Sequence, residues 1–180
     1  MANNFEKDMK KKQGKKWIVV LVVAALVLGT VFGLDIRGAK DITDQGSEGE
    51  TIKVTMSIDC KTAADNIDKL KDQNKKEYIP ETGEVLKATE YEIEKDSSVF
   101  DLLTKATAAE NIQMECEKDT VFGYYIEGIN HLYGGDCGQM SGWLYYVNDE
   151  VPMYGVADLK LAEGDVVEFV YSCEGGEDLM

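Results

Sequence analysis

The sequence predicts an α+β domain, one helix packed across a mixed sheet, carried behind a single apolar membrane span. Three observations predict it: an uncharged apolar run near the N-terminus, one capped amphipathic helix in mid-chain, and alternating or β-branched runs on both sides of that helix.

The span comes first. Residues 17–34, WIVVLVVAALVLGTVFGL, carry no charge. At about 1.5 Å rise per residue, that length approaches a hydrocarbon core of roughly 30 Å. Lys10, Lys11, Lys12, Lys15 and Lys16 precede it, the excess that holds a flank in the cytoplasm. Residues 1–16 therefore read as a basic cytoplasmic tail and 17–34 as a transmembrane signal-anchor, which places everything beyond them outside. A cleaved signal peptide is the alternative, with Val31-Phe32-Gly33 as the cleavage candidate and no Cys after the span to take a lipid. The length of the run favours an uncleaved anchor, and both readings export the domain.

Charge divides at the span. The net charge is −15, yet residues 1–34 hold six lysines against only Glu6 and Asp8, so the remainder sums to −19. An exported domain this acidic repels phosphate backbones and anionic lipid, which argues against nucleic acid. No D-x-[DN]-x-[DN]-G loop occurs, so the carboxylates read as a solvated surface rather than a calcium site. Cys60, Cys116, Cys137 and Cys173 all lie beyond the span. An even number in a small exported domain suggests two disulfides, with three possible pairings. The absence of C-x-x-C argues against a zinc knuckle or a thioredoxin-type site. In surroundings without an oxidant, the thiols stay reduced.

Residues 35–50 are polar and aperiodic, a stalk. About 130 residues remain, enough for one domain with one core. Ile52, Val54, Met56 and Ile58 alternate with polar neighbours, a half-buried strand. Residues 61–76 are charged and weakly patterned, a loop or surface helix. Thr89, Tyr91 and Ile93 alternate with glutamates as a second strand. Ser98 then caps a helix, with Asp101 in the capping-box position. Val99, Leu102, Leu103, Ala106 and Ala109 form its apolar stripe, and Asn111 ends it. Three β-branched and aromatic runs follow, at 121–129, 143–147 and 166–171, with Gly164-Asp165 turning into the last; residues 174–180 are an acidic tail.

The order β-β-α-β-β-β fits a β-grasp-like mixed sheet, in which the first and last strands run parallel as central neighbours. In that arrangement Cys60 and Cys173, both at the C-terminal ends of those strands, meet, which leaves Cys116 with Cys137.

Catalytic constellations are missing. There is no G-x-x-x-x-G-K-[ST], H-E-x-x-H or G-x-S-x-G. His131 is the only histidine, so His131 with Cys137 is the sole nucleophile–base pair; a solvated loop histidine beside a disulfide is the plainer reading. Ile79-Pro80-Glu81-Thr82-Gly83 looks like a surface-sorting pentapeptide, but nearly the whole domain follows it, and it reads as a Pro-led turn. The chain is expected to be no enzyme and to hold no metal.

The stretch 124–171 reads Y-Y-I-E-G-I-N, a Gly-rich loop with Cys137, S-G-W-L-Y-Y-V-N, V-P-M-Y-G-V-A-D and L-A-E-G-D-V-V-E-F-V-Y. Together with the strand ending in Cys60, the P-x-T-G-x-V-L turn at 80–86 and D-S-S-V-F-D-L-L, it resembles the C-terminal domain of transcobalamin and intrinsic factor and the related bacterial surface domains, across residues 51–173. The resemblance implies a soluble-ligand-binding β-grasp domain that closes over a corrin ring. It points to Gly142, Trp143, Leu144 and Tyr145, and to Tyr154, Gly155 and Val156, as ligand contacts. In those carriers a separate helical-barrel domain holds most of the ligand, and the Gly-rich loop and residues 61–76 have no counterpart in the animal carriers. His131 as an axial cobalt ligand is a further, remoter expectation. Alternation puts Trp143, Tyr145 and Val147 on one face, so Trp143 is either core beside Phe100 and Tyr171 or a ligand contact. Tyr124, Tyr125 and Tyr154 read as half-exposed sheet positions.

The expected function is a membrane-anchored extracytoplasmic binding module for a small soluble ligand, a corrinoid first, with a transporter or surface protein as possible partner and no certain cofactor. The alternative is an adhesion or scaffold module that meets a protein or glycan.

Overall fold

A computed structural model of the chain describes residues 49–119 and 123–179. The predicted tail and span, and all but the last two residues of the stalk, lie outside them. Among the described residues no helix is long and apolar enough to cross a membrane.

Alternation builds the first strand as expected. β1 (Thr51–Asp59) buries Ile52, Val54, Met56 and Ile58 on one face. It pairs antiparallel with β2 (Glu84–Glu94) and parallel with β7 (Val166–Ser172), which pairs antiparallel with β6 (Gly142–Val147). The sheet order is β2-β1-β7-β6, so the first and last strands are its central, parallel pair. A helix, two 3-10 turns and a loop fill residues 60–83 between β1 and β2, beginning with the short α1 (Lys61–Asp65). That excursion closes where Cys60 N–H donates to Gly83 O at 2.8 Å. Gly83 sits at φ +81°, and a Cβ there would meet Lys61 Cα at 2.4 Å, so only glycine fits the closure.

The main helix, α2 (Val99–Ala109), forms because its ends are satisfied as well as its stripe. Ser98 accepts from Asp101 N–H while Asp101 accepts from Ser98 N–H, a reciprocal capping box. Asn111, at φ +54°, takes the left-handed turn after the helix. Val99, Leu102, Leu103 and Ala106 are buried as predicted. Ala109 is exposed, and Thr107 is buried in its place with its hydroxyl donating to Leu103 O.

The expectation of one mixed sheet is corrected. The residues after α2 form a separate three-stranded sheet, in the order β3 (Met114–Asp119), β4 (Gly123–Ile129) and β5 (Leu132–Tyr133). β3 reads M-E-C-E-K-D, in which only Met114 and Cys116 alternate with glutamates; both pack against the first core cluster, and the strand is completed by pairing with β4. Asn130 and His131, at φ +51° and +64°, form the two-residue turn from β4 to β5.

One cluster of buried side chains joins the main sheet to α2 and β4, including Met56, Leu102, Ile129 and Phe169. A second lies beyond the ends of β1 and β7 around Tyr171, Leu132, Leu70 and Cys60. Tyr171 is fully buried, and its hydroxyl donates to Tyr133 O at 2.7 Å and lies 3.0 Å from Ser141 Oγ.

Ser98→Ala removes the cap and should lower unfolding free energy by about 1 kcal/mol in denaturant titration. The Asp101 carboxyl is held below the ordinary aspartate range by the Ser98 N–H and then the Ser98 hydroxyl. Its contribution is therefore present above that range and fades as pH falls through the lowered native value, and Asp101→Asn should flatten this acid limb. The Tyr91 hydroxyl is buried with no partner among the described residues. Tyr91→Phe should then stabilise the domain by roughly 0.5–1 kcal/mol, whereas a loss would mean the hydroxyl is paired.

Candidate functional site

An apolar concavity lies where the two sheets part. β4 supplies Tyr124, Tyr125 and Ile126, β6 supplies Trp143, Leu144 and Tyr145, and Phe169 of β7 forms the floor. The connection from β6 to β7 covers it with Val151, Pro152, Gly155 and Val156, leaving a cleft of about 260 Å³. Among the described residues no charged side chain lines it, although the chain carries −15.

Hydrogen bonds hold that connection in place. Phe100 N–H donates to Val156 O at 2.8 Å, Val99 N–H to Leu159 O at 3.1 Å, and Leu161 N–H to Ser97 O at 2.9 Å. The start of α2 thus fixes one end of the loop, and the Tyr145 hydroxyl, donating to Tyr154 O, fixes its middle. Burial, with Asp158 nearby, pushes the Tyr145 hydroxyl above its ordinary pKa, so it stays protonated and able to donate.

The aromatic walls are rigid for identifiable reasons. Tyr145 stacks on Phe169 with centroids 5.7 Å apart, and Phe100 stacks on Tyr124 at 4.1 Å. Trp143 meets Tyr171 edge-on at 5.2 Å, and its indole N–H donates to Leu132 O at 2.8 Å. Trp143 therefore packs on Tyr171 with one part and lines the cleft with another. Phe100 is not its neighbour as expected but stacks on Tyr124.

Of the seven residues the sequence singled out, the structure brings Trp143, Leu144, Tyr145, Gly155 and Val156 together around the cleft. Gly142 begins β6 without lining it. Tyr154 lies in the loop rather than in a sheet; its ring is 66% exposed and lines an adjoining groove with Val151, Pro152 and Met153. Tyr124, Tyr125, Ile126 and Phe169 were not singled out. Their strand pattern was readable, but the opposition of β4 to β6 depends on the second sheet, which was not.

The cysteine expectations are corrected. All four are free thiols, and Cys173 faces Cys137 rather than pairing with Cys60. Cys60, Cys137 and Cys173 are buried in the second cluster, while Cys116 packs against the first, so Cys116 and Cys137 are not neighbours. Burial, then the charge of Asp59, pushes the Cys60 thiol up to about 12. Burial, then Cys137, pushes Cys173 to about 12.

Cys137 does not have the expected His131 as its hydrogen-bond partner. Cys137 Sγ lies against Asn66 O at 3.8 Å, and Ser141 Oγ donates to Gly138 O at 2.9 Å. The His131 ring meets Tyr78 with centroids 4.2 Å apart and planes tilted by 41°, in the turn after β4, and it does not line the cleft where an axial ligand was expected. Among the described residues no group of three or more His, Cys, Asp or Glu is placed to hold a metal.

Comparison with known proteins places the fold. Residues 96–172, from just before α2 to the end of β7, match a family described as "Domain of unknown function (DUF4430)". No curated protein matches. Seventeen solved chains do. One is haptocorrin in complex with Cbi, with TM-score 0.50, 16% identity, and coverage of 68% of this chain and 25% of that one. Another is a candidate metal-binding protein from Ruminococcus gnavus ATCC 29149, with TM-score 0.40, 14% identity, and coverage of 67% of this chain and 96% of that one. The chain thus shares a fold with a portion of haptocorrin and spans about a quarter of its length.

Alkylation of the native protein should modify Cys116 first, because the other three thiols are buried, two of them with strongly raised pKa values. Peptide mass spectrometry after a timed iodoacetamide pulse reads the order, and early labelling of Cys60 or Cys173 would contradict this burial.

Proposed function

We propose that the chain is a non-catalytic binding module for a small soluble ligand, exported and tethered by its N-terminal span, and that the cleft between β4 and β6 is the site. The carrying observation is the cleft itself: apolar, free of charge, walled by fixed aromatic rings and closed on one side by a strapped loop. The parallel pairing of β1 with β7 and the helix packed on the sheet support reading the fold as a β-grasp of the transcobalamin C-terminal type.

A corrinoid is the first ligand to test. It offers a broad, partly apolar face to Trp143 and Tyr145, and the fold is shared with haptocorrin, solved in complex with Cbi. A cleft of about 260 Å³ covers part of such a ligand, which suits a module that shares its ligand with a transporter or surface-protein partner.

Exposed apolar side chains beside the cleft support a second reading. Met153 is 97% exposed, and Val151, Tyr125 and Tyr154 are also well exposed. A patch of this kind also suits a protein-contacting scaffold.

Titration of the full chain with cyanocobalamin and with cobinamide, followed by Trp fluorescence and calorimetry, separates the two. Saturable binding at about micromolar affinity or tighter, weakened at least tenfold by Trp143→Ala, supports the corrinoid site. No heat and no quenching at near-millimolar ligand transfers the reading to the scaffold.

A further inference from the structure

A second concavity, of about 390 Å³, lies at the other end of β4 from the first. Tyr78 forms one wall, the end of α2 with Asn111 another, and Gln113, Asn130 and His131 the rest. Three features set it apart from an incidental surface dip.

The first is how Tyr78 reaches it. β1 and β2 are antiparallel neighbours that a turn of a few residues would join, yet residues 60–83 intervene. Their final 3-10 segment, Gln73–Tyr78, is pinned against the second sheet. Lys75 pairs with Asp136 at 2.5 Å and lies over the Tyr133 ring, and Asn130 Nδ2 donates to Tyr78 O at 2.6 Å. The excursion fixes an aromatic ring, 38% exposed, against the imidazole of His131.

The second is backbone strain. Asn111, Asn130 and His131 all have positive φ and all face this one concavity. Asparagine tolerates that region, but the second central position of a two-residue hairpin strongly favours glycine. Histidine there carries a conformational cost that its ring must offset by some contact.

The third is chemistry. Gln113 is used internally, accepting from His131 N–H and donating to Glu115 and Tyr133. No hydrogen bond among the described residues occupies the Asn111 carboxamide or the His131 ring nitrogens, and none of the residues lining the concavity is charged. The lining carries no charge, and the Glu77 carboxylate beside the Tyr78 hydroxyl disfavours an anion and is by itself no cation site. A wholly apolar ligand would leave the amides unpaired. A sugar ring meets all of these conditions. Its C–H face covers the Tyr78 and His131 rings, and its hydroxyls both donate and accept, which suits the carboxamides and the imidazole of the walls.

We propose that the concavity walled by Tyr78, Asn111, Asn130 and His131 is a second binding site, specific for a neutral sugar ring and independent of the Trp143 cleft.

The test is an amide-resolved NMR titration of the isotopically labelled full chain with glucose, galactose and N-acetylglucosamine, and with glucuronate as the charged control. Saturable shifts at Tyr78, Asn111 and His131 with at least one neutral sugar are expected, with weaker response to glucuronate. His131→Gly and Asn111→Gly keep the left-handed backbone and remove only the side chains. Each should weaken binding about tenfold. His131→Gly should at the same time leave thermal stability equal or higher, which separates a ligand role from a folding role. No saturable shift with any neutral sugar, shifts confined to the Trp143 cleft, glucuronate bound as well as glucose, or undiminished binding in both variants would each overturn the proposal.

Discussion

The structure depends on the parallel pairing of its first strand with its last. Val167 and Phe169 of β7 sit beside Met56 and Ile58 of β1, and all four side chains are buried. A parallel pair cannot be joined by a tight turn, so the whole intervening chain must cross over and return. α2 supplies the covering layer on that path, and its buried stripe of Val99, Leu102, Leu103 and Ala106 makes the crossover favourable. Residues 114–119 and 123–133 form a small sheet of their own beside the helix and the outer strand β6.

The functional reading follows from that division. Two sheets that share a core at Ile126, Ile129 and Phe169 but part at β6 leave an apolar gap. The loop tied to α2 through Val156 and Leu159 covers one side, so the gap is a shaped cleft. The second concavity has the same origin at the opposite end of β4, where the 60–83 excursion meets the β4–β5 turn. One strand thus carries an apolar site and a polar, uncharged one, which take different ligand chemistries.

Much of this was legible in the sequence because period-2 and period-3.6 patterns are local. β1, the alternation of Tyr91 and Ile93, the Ser98–Asp101 box and the turn at Gly164 all came from neighbouring residues. β3 did not, since its apolar alternation is only Met114 and Cys116, too short to mark a strand without the partner it pairs with. The cysteine pairing failed for a related reason. Strand ends place Cys60 near Tyr171, but Cys173 lies two residues farther on, and the Gly-rich loop brings Cys137 to it. At the site, Trp143, Tyr145 and Val156 were readable from the motif that carries them. Tyr124 and Phe169 required knowing which sheets face each other, and Tyr154, whose carbonyl accepts from Tyr145, lies in the loop with its side chain in the adjoining groove.

The central claim is that ligand occupies the cleft between β4 and β6. Hydrogen–deuterium exchange of the full chain, with and without saturating cyanocobalamin, tests it most directly, because it reports where protection arises. The account predicts slowed exchange in residues 123–127, 142–147 and 151–156, with β1 and β2 unchanged. Protection confined to other segments, or none at a concentration where binding is independently established, would contradict it.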